Sequence, residues 1–142
     1  MAIAKRVFVY FSIFVLMFFS GVQTFASEKV PKIVFISGTH NKNTFWNNYV
    51  LTLKKACKDL GMQCDVYYAN ENHLAMVDKM NELAKSPNKP DVVIFNNLKN
   101  IAPHLIKIAE NTQTHIFIIN SALPSSEIEI YGKPRQKYKY WI

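Results

Sequence analysis

The chain has 142 residues, with 17 basic against 10 acidic side chains for a formal net charge of +7, and 49% of its residues are hydrophobic. That apolar fraction excludes an intrinsically disordered chain, and the length accommodates one hydrophobic core but not two full domains. The charge is spread along the chain as on an ordinary soluble surface; its densest run, Lys133-Pro134-Arg135-Gln136-Lys137-Tyr138-Lys139-Tyr140, is short, and no nucleic acid is expected as a partner.

The first element in chain order is a leader. Basic Lys5-Arg6, an apolar run from Val7 to Phe19 and a polar stretch ending Gln23-Thr24-Phe25-Ala26 have the order of a secretory signal peptide. Thr24 and Ala26 put small side chains where a signal peptidase needs them, so cleavage is expected between Ala26 and Ser27, leaving residues 27–142 as the exported chain. The apolar run is shorter than the roughly 18 residues expected of a membrane-spanning helix. No cysteine lies near the cut to take a lipid.

Four short apolar runs then alternate with longer amphipathic stretches. Lys32-Ile33-Val34-Phe35-Ile36-Ser37 is continuously apolar at its centre, as a strand covered on both faces should be. Phe45, Tyr49, Leu53, Ala56, Cys57 and Leu60 recur at helical spacing, with Asn43 or Thr44 as N-cap and Gly61 as the stop. Gln63 to Tyr68 alternates, which predicts a strand nearer an edge. Met76, Val77, Met80, Leu83 and Ala84 form a second helical stripe, ended by Ser86-Pro87. Asp91 to Phe95 is a third strand. Ile101, Leu105, Ile108 and Ala109 make a third helix, with Asn100 as cap and Pro103 in the first turn, where a missing N–H costs nothing. His115 to Ile119 is a fourth strand. Beyond it the regularity weakens: Glu127 to Ile130 is ambiguous, and the apolar tail Tyr140-Trp141-Ile142 is expected to rest against something outside this chain. Strand and helix in strict alternation predict an α/β fold, a doubly wound parallel sheet of Rossmann-like form.

In such a sheet ligands bind outside the carboxyl ends of the strands, where strand order reverses. That rule selects the loop Gly38 to Trp46, the stretch Asn96 to Asn100, and Asn120-Ser121. These loops hold amides, hydroxyls and aromatic rings. Amides donate and accept, matching the mixed hydrogen bonding of sugar hydroxyls, and a ring face suits the C–H faces of a sugar. Asn96 and Asn120 each end a strand and are expected to face a cleft. Of the neighbours Phe45 and Trp46 only one can face the sheet; Phe45 is assigned to the core and Trp46 to the cleft. His40 is read as a ligand-contacting or hydrogen-bonding loop residue.

No catalytic residues are expected. The chain has no Gly-rich dinucleotide fingerprint, no phosphate loop and no Gly-x-Ser-x-Gly elbow, and His40 has neither nucleophile nor carboxylate evident beside it. Cys57 and Cys64 lack histidines at zinc-binding spacing, so neither a metal nor a cofactor is expected. In an oxidising compartment the two thiols could pair or stay buried and free, and seven residues of separation do not decide which.

Between about Lys32 and Asn120 the order of these pieces resembles the type I periplasmic binding proteins, in the ribose- and galactose-binding branch that serves ABC importers. Asn43-Thr44-Phe45-Trp46 resembles that family's Asn-Pro-Phe-Phe/Trp segment, and Ala56-x-x-x-Leu60-Gly61 the end of its first helix. Pro90 to Asn96, with a helix ending Ala109-Glu110-Asn111, resembles its third strand and helix, and His115 to Asn120 its fourth strand. The resemblance implies ligand contact by Asn43, by Phe45 or Trp46, by Asn96 and by Asn120. Thr44 stands where the family has Pro, and Asn120 where it usually has Asp, which removes a charged acceptor and puts the sugar's identity in doubt.

The family has two lobes that close on a ligand; this chain is expected to be the N-terminal lobe only, truncated before a missing second lobe. The implied function is a periplasmic, non-enzymatic solute-binding component of an ABC importer, with a sugar-like small molecule as ligand and a membrane permease as partner. The alternative is a periplasmic receptor that passes a ligand signal to a membrane sensor kinase. A third possibility is a lone lobe that binds nothing and exposes a hydrophobic hinge face.

Overall fold

The computed structural model describes residues 29–142; the expected leader and its cleavage point lie outside them. The elements are β1 (Lys32–Ser37), α1 (Thr44–Asp59), β2 (Gln63–Tyr68), α2 (His73–Lys85), β3 (Val92–Asn96), a 3-10 turn (Leu98–Asn100), α3 (Ala102–Thr112), β4 (His115–Ile119) and α4 (Ser125–Tyr131). All four strands are parallel, in the order β2-β1-β3-β4. The alternating strand β2 is an edge, and the continuous apolar runs β1 and β3 are central. Strand order reverses between β1 and β3.

Helices cover both faces. Phe35 points from β1 to the α1 side, where Trp46 and Val50 bury against it. Val34 and Ile36 point the other way, with Val93, Phe95 and Ile116, into a larger core closed by Met76 and Met80 of α2 and by Leu105, Ile106 and Ala109 of α3. Removing side chains of this size from water stabilises the fold by about 1.5 to 3 kcal/mol each. The coverage is unequal: α1 alone serves its face, and Phe117 of β4 is left 46% exposed.

Local chemistry sets the helix boundaries. Asn43 Oδ1 accepts from the Trp46 N–H at 3.2 Å, and Asn72 Oδ1 from the Leu74 and Ala75 N–H groups, so α1 and α2 each have a side-chain N-cap. After α1 the chain reverses through Gly61 at φ +67°, a conformation glycine adopts without a Cβ penalty. Two expectations need correcting. Asn100 does not cap α3. It sits at φ +59° in the preceding 3-10 turn, and Asn97 Oδ1 instead accepts from the Ala102 N–H at 2.9 Å. The ambiguous stretch around Glu127–Ile130 is helical, as α4.

The tail is the second. Trp141 is buried against this same lobe: Ile116 N–H donates to Tyr140 O at 2.8 Å and Ile142 N–H to Ile116 O at 3.0 Å, a parallel bridge on the outer edge of β4. Indole burial and edge pairing hold it there. Cys57 and Cys64 are joined as a disulfide, with Cα atoms 6.2 Å apart, tying the end of α1 to the start of β2.

Candidate functional site

The carboxyl edge of the sheet is built around the reversal between β1 and β3. Gly38, just past β1, donates its N–H to Asn96 Oδ1 at 2.7 Å, so the last residue of β3 is fastened to the first loop. Asn96 is only 6% exposed, and its Nδ2 has no hydrogen-bond partner among the described residues. A Cβ on Gly38 would stand 2.9 Å from Leu98 Cβ and 3.1 Å from Asn96 Nδ2. Glycine is required there so that the loop after β3 can lie against the loop after β1.

Two residues overlooked in the sequence complete this floor. Ser37 is fully buried, and its Oγ lies 3.2 Å from Thr39 Oγ1, itself nearly buried. A Ser or Thr at the end of a strand is common, and nothing in the spacing marked this pair. The loop after β2 closes the other flank: Glu71 N–H donates to Gly38 O at 2.7 Å and Ala69 N–H to Ser37 O at 2.8 Å. Asn70, Glu71, Lys99, Asn100 and Asn120 all have positive φ, and all lie in loops along this one edge. L-residues adopt that region at some cost, which these loops meet by mutual hydrogen bonding.

The expected ligand residues occupy distinct places on this rim. His40 is exposed, its Nδ1 accepting from the Lys42 N–H at 3.2 Å. Asn43 is half-buried and uses its Oδ1 as the α1 cap, which leaves its amide nitrogen uncommitted among the described residues. The two rings are exchanged relative to expectation. Trp46 is 7% exposed and packs at 5.8 Å from Phe35 and 5.9 Å from Tyr49, whereas Phe45 is 63% exposed and lies edge-on to Trp46 at 5.0 Å. The helix starts at Thr44 with its inward stripe on Trp46, Val50 and Cys57, which turns Phe45 out. Burial also lifts the Tyr49 phenol above its usual pKa, so this cluster stays uncharged.

Asn120 follows β4 at φ +70°, exposed, its Nδ2 3.4 Å from Ser121 Oγ. It lines a mostly apolar depression of about 320 Å³ together with Phe117, Ile119, Leu123, Trp141 and Ile142. Since β3 pairs Asn96 with Ile119 of β4, the rim runs in order from the β1 loop through Asn96 to Asn120. Asn97 and Asn100 bond each other at 3.1 Å, and Asn100 is also held by Glu127 of α4. Both are committed to shaping the loop. Among the described residues no three His, Cys, Asp or Glu side chains converge as metal ligands. The edge can offer amide and hydroxyl hydrogen bonds and the exposed rings of Phe45 and Phe117.

No family model matches the sequence, and no curated protein matches it. Solved structures do. One neighbour is a periplasmic sugar-binding protein from Pseudomonas fluorescens, 26% identical with a TM-score of 0.63 over 69% of this chain and 30% of that one. Another is an ABC sugar transporter subunit from Rhodobacter sphaeroides 2.4.1, 18% identical with a TM-score of 0.55 over 66% of this chain and 33% of that one, a likeness of fold alone. Both are named for sugar binding or sugar transport, not catalysis, and the chain spans about a third of their length. The likeness read from the sequence therefore holds in three dimensions: the described residues have the fold of a single lobe of a periplasmic binding protein.

Proposed function

We propose that this chain is the N-terminal lobe, residues 27–142, of a periplasmic solute-binding component of an ABC importer, taking a sugar or related polyol. The observation that carries the proposal is the amide and hydroxyl rim at the strand-order reversal, on a fold shared with a periplasmic sugar-binding protein. In this reading Asn96 Nδ2, Asn43 Nδ2 and Asn120 hydrogen-bond ligand hydroxyls, His40 contacts the ligand from the first loop, and Phe45 rather than Trp46 stacks on the ring. A second lobe supplies the opposing wall, and closure of the two presents a surface to a membrane permease. One lobe provides half a cleft, so its own affinity is weak.

Calorimetric titration with pentoses, hexoses and polyols tests this, using residues 27–142 beside a chain extended through the continuing reading frame. Saturable binding by the extended chain, reduced at least tenfold by Phe45→Ala and by Asn96→Ala, is the expected result. A folded extended chain that binds none of these compounds overturns the assignment.

A further inference from the structure

The segment from Gly132 to Tyr140 is a braced loop. Gly132 N–H donates to Ile128 O at 2.8 Å, Lys133 N–H to Gln136 Oε1 at 3.0 Å, Arg135 N–H to Trp141 O at 2.8 Å and Tyr140 N–H to Glu110 Oε2 at 3.2 Å. On this frame Lys133, Arg135, Lys137 and Lys139 are all exposed, and Lys107 of α3 joins them across Tyr131. None of the five forms a salt bridge among the described residues. The nearby carboxylates are Glu110, bonded by the loop backbone, Glu127, bonded by Asn100, and the exposed Glu129, so the five cations outnumber them. The surface is therefore cationic and held in a fixed shape.

Its aromatic residues narrow the partner. Lys107 Nζ lies 5.8 Å from the Tyr131 ring centroid and Lys139 Nζ 5.5 Å from that of Tyr140, while Tyr131 and Tyr138 pack on each other at 5.9 Å. Lysines lie over Tyr131 and Tyr140, and Tyr138 packs on Tyr131, which leaves less room for base stacking as in single-stranded nucleic-acid sites. Lysines and arginine interleaved with half-buried tyrosines, beside Ile130 at 58% exposed, match the chemistry of a bilayer's headgroup level instead. We propose that this loop docks the protein on an anionic phospholipid surface; the loop adjoins the ligand edge at Lys133, which lines the depression beside Asn120. Each cation brought to such a surface raises partitioning on the order of fivefold, less as salt screens it.

The test is co-sedimentation of the protein, recovered from cells that export it, with vesicles of phosphatidylcholine alone or with one third phosphatidylglycerol. A variant carrying Lys133→Gln, Arg135→Gln, Lys137→Gln and Lys139→Gln has the same N-terminus, so the difference between the two proteins isolates the loop. The expected result is binding to the anionic vesicles only, abolished by 0.5 M salt (about a 4 Å Debye length) and reduced on the order of a hundredfold or more in the variant. Circular dichroism should show both proteins equally folded. Absence of binding at low salt, equal binding by the variant, or retention on single-stranded DNA without vesicle binding overturns it.

Discussion

Gly38 shows how one missing atom positions the edge. Its ideal Cβ would overlap Leu98 Cβ, which is close to a backbone and cannot swing away as a long side chain could. Gly38→Ala should therefore cost about 1 to 3 kcal/mol in chemical denaturation, as overpacking does; an unchanged midpoint would mean that the β3 loop yields freely. Asp91 is the other residue with a measurable signature. Lys29, 2.6 Å away, and the Lys32 N–H at 2.8 Å hold its carboxyl below the usual pKa. A carboxylate depressed in the folded state stabilises it above its unfolded pKa, about 3.9, and that contribution fades as pH falls through the lower folded value. Asp91→Asn should accordingly lower stability at neutral pH by some tenths of a kcal/mol, given its exposure, and flatten the loss as pH falls below about 4. A variant with the same acid limb as the parent would dismiss the effect.

At the scale of elements, the strands were legible as uninterrupted apolar runs in β1, β3 and β4; burial on both faces accounts for the central β1 and β3, whereas β4 is an edge with Phe117 46% exposed. β2 declared its edge position by alternation. What could not be read was phase and capping at helix starts. Phe45 and Trp46 are one residue, about a 100° turn, apart, and which of them faces the sheet depends on the space above Phe35, a tertiary fact. Asn100 looked like a cap because Asn commonly is one, yet a left-handed turn moves that duty to Asn97. Of the site, the loops were found from the sequence, while Ser37 and Thr39 were missed because their closeness depends on how the loop folds back. The junction of α1 and β2 carries the disulfide that spacing alone left open. Replacing both Cys57 and Cys64 by Ala should cost about 2.5 kcal/mol, the chain-entropy value for so short a loop, measured as a lower denaturation midpoint. A difference under about 0.5 kcal/mol, the size of an ordinary surface substitution, would mean the crosslink constrains little.

At the scale of the molecule, the two layers of the core differ in size. The side covered by α2 and α3 reaches from Val34 to Leu123 and takes in Trp141, whereas the α1 side centres on Phe35, Trp46 and Val50. Trp141→Ala should lower stability by about 3 to 5 kcal/mol, as large aromatic truncations do, and should free the β4 edge. Amide hydrogen exchange at Ile116 gives the check, because its N–H is bonded to Tyr140 O. Unaltered protection there would place the tail outside the cooperative unit.

The chain's two tryptophans lie on opposite sides of the sheet, Trp46 under α1 and Trp141 beside β4. Each layer thus contains one tryptophan, and the single variants Trp46→Phe and Trp141→Phe leave one tryptophan each, reporting on one layer at a time. Unfolding followed through each would reveal whether the thin layer melts with the thick one or ahead of it, without any attached label.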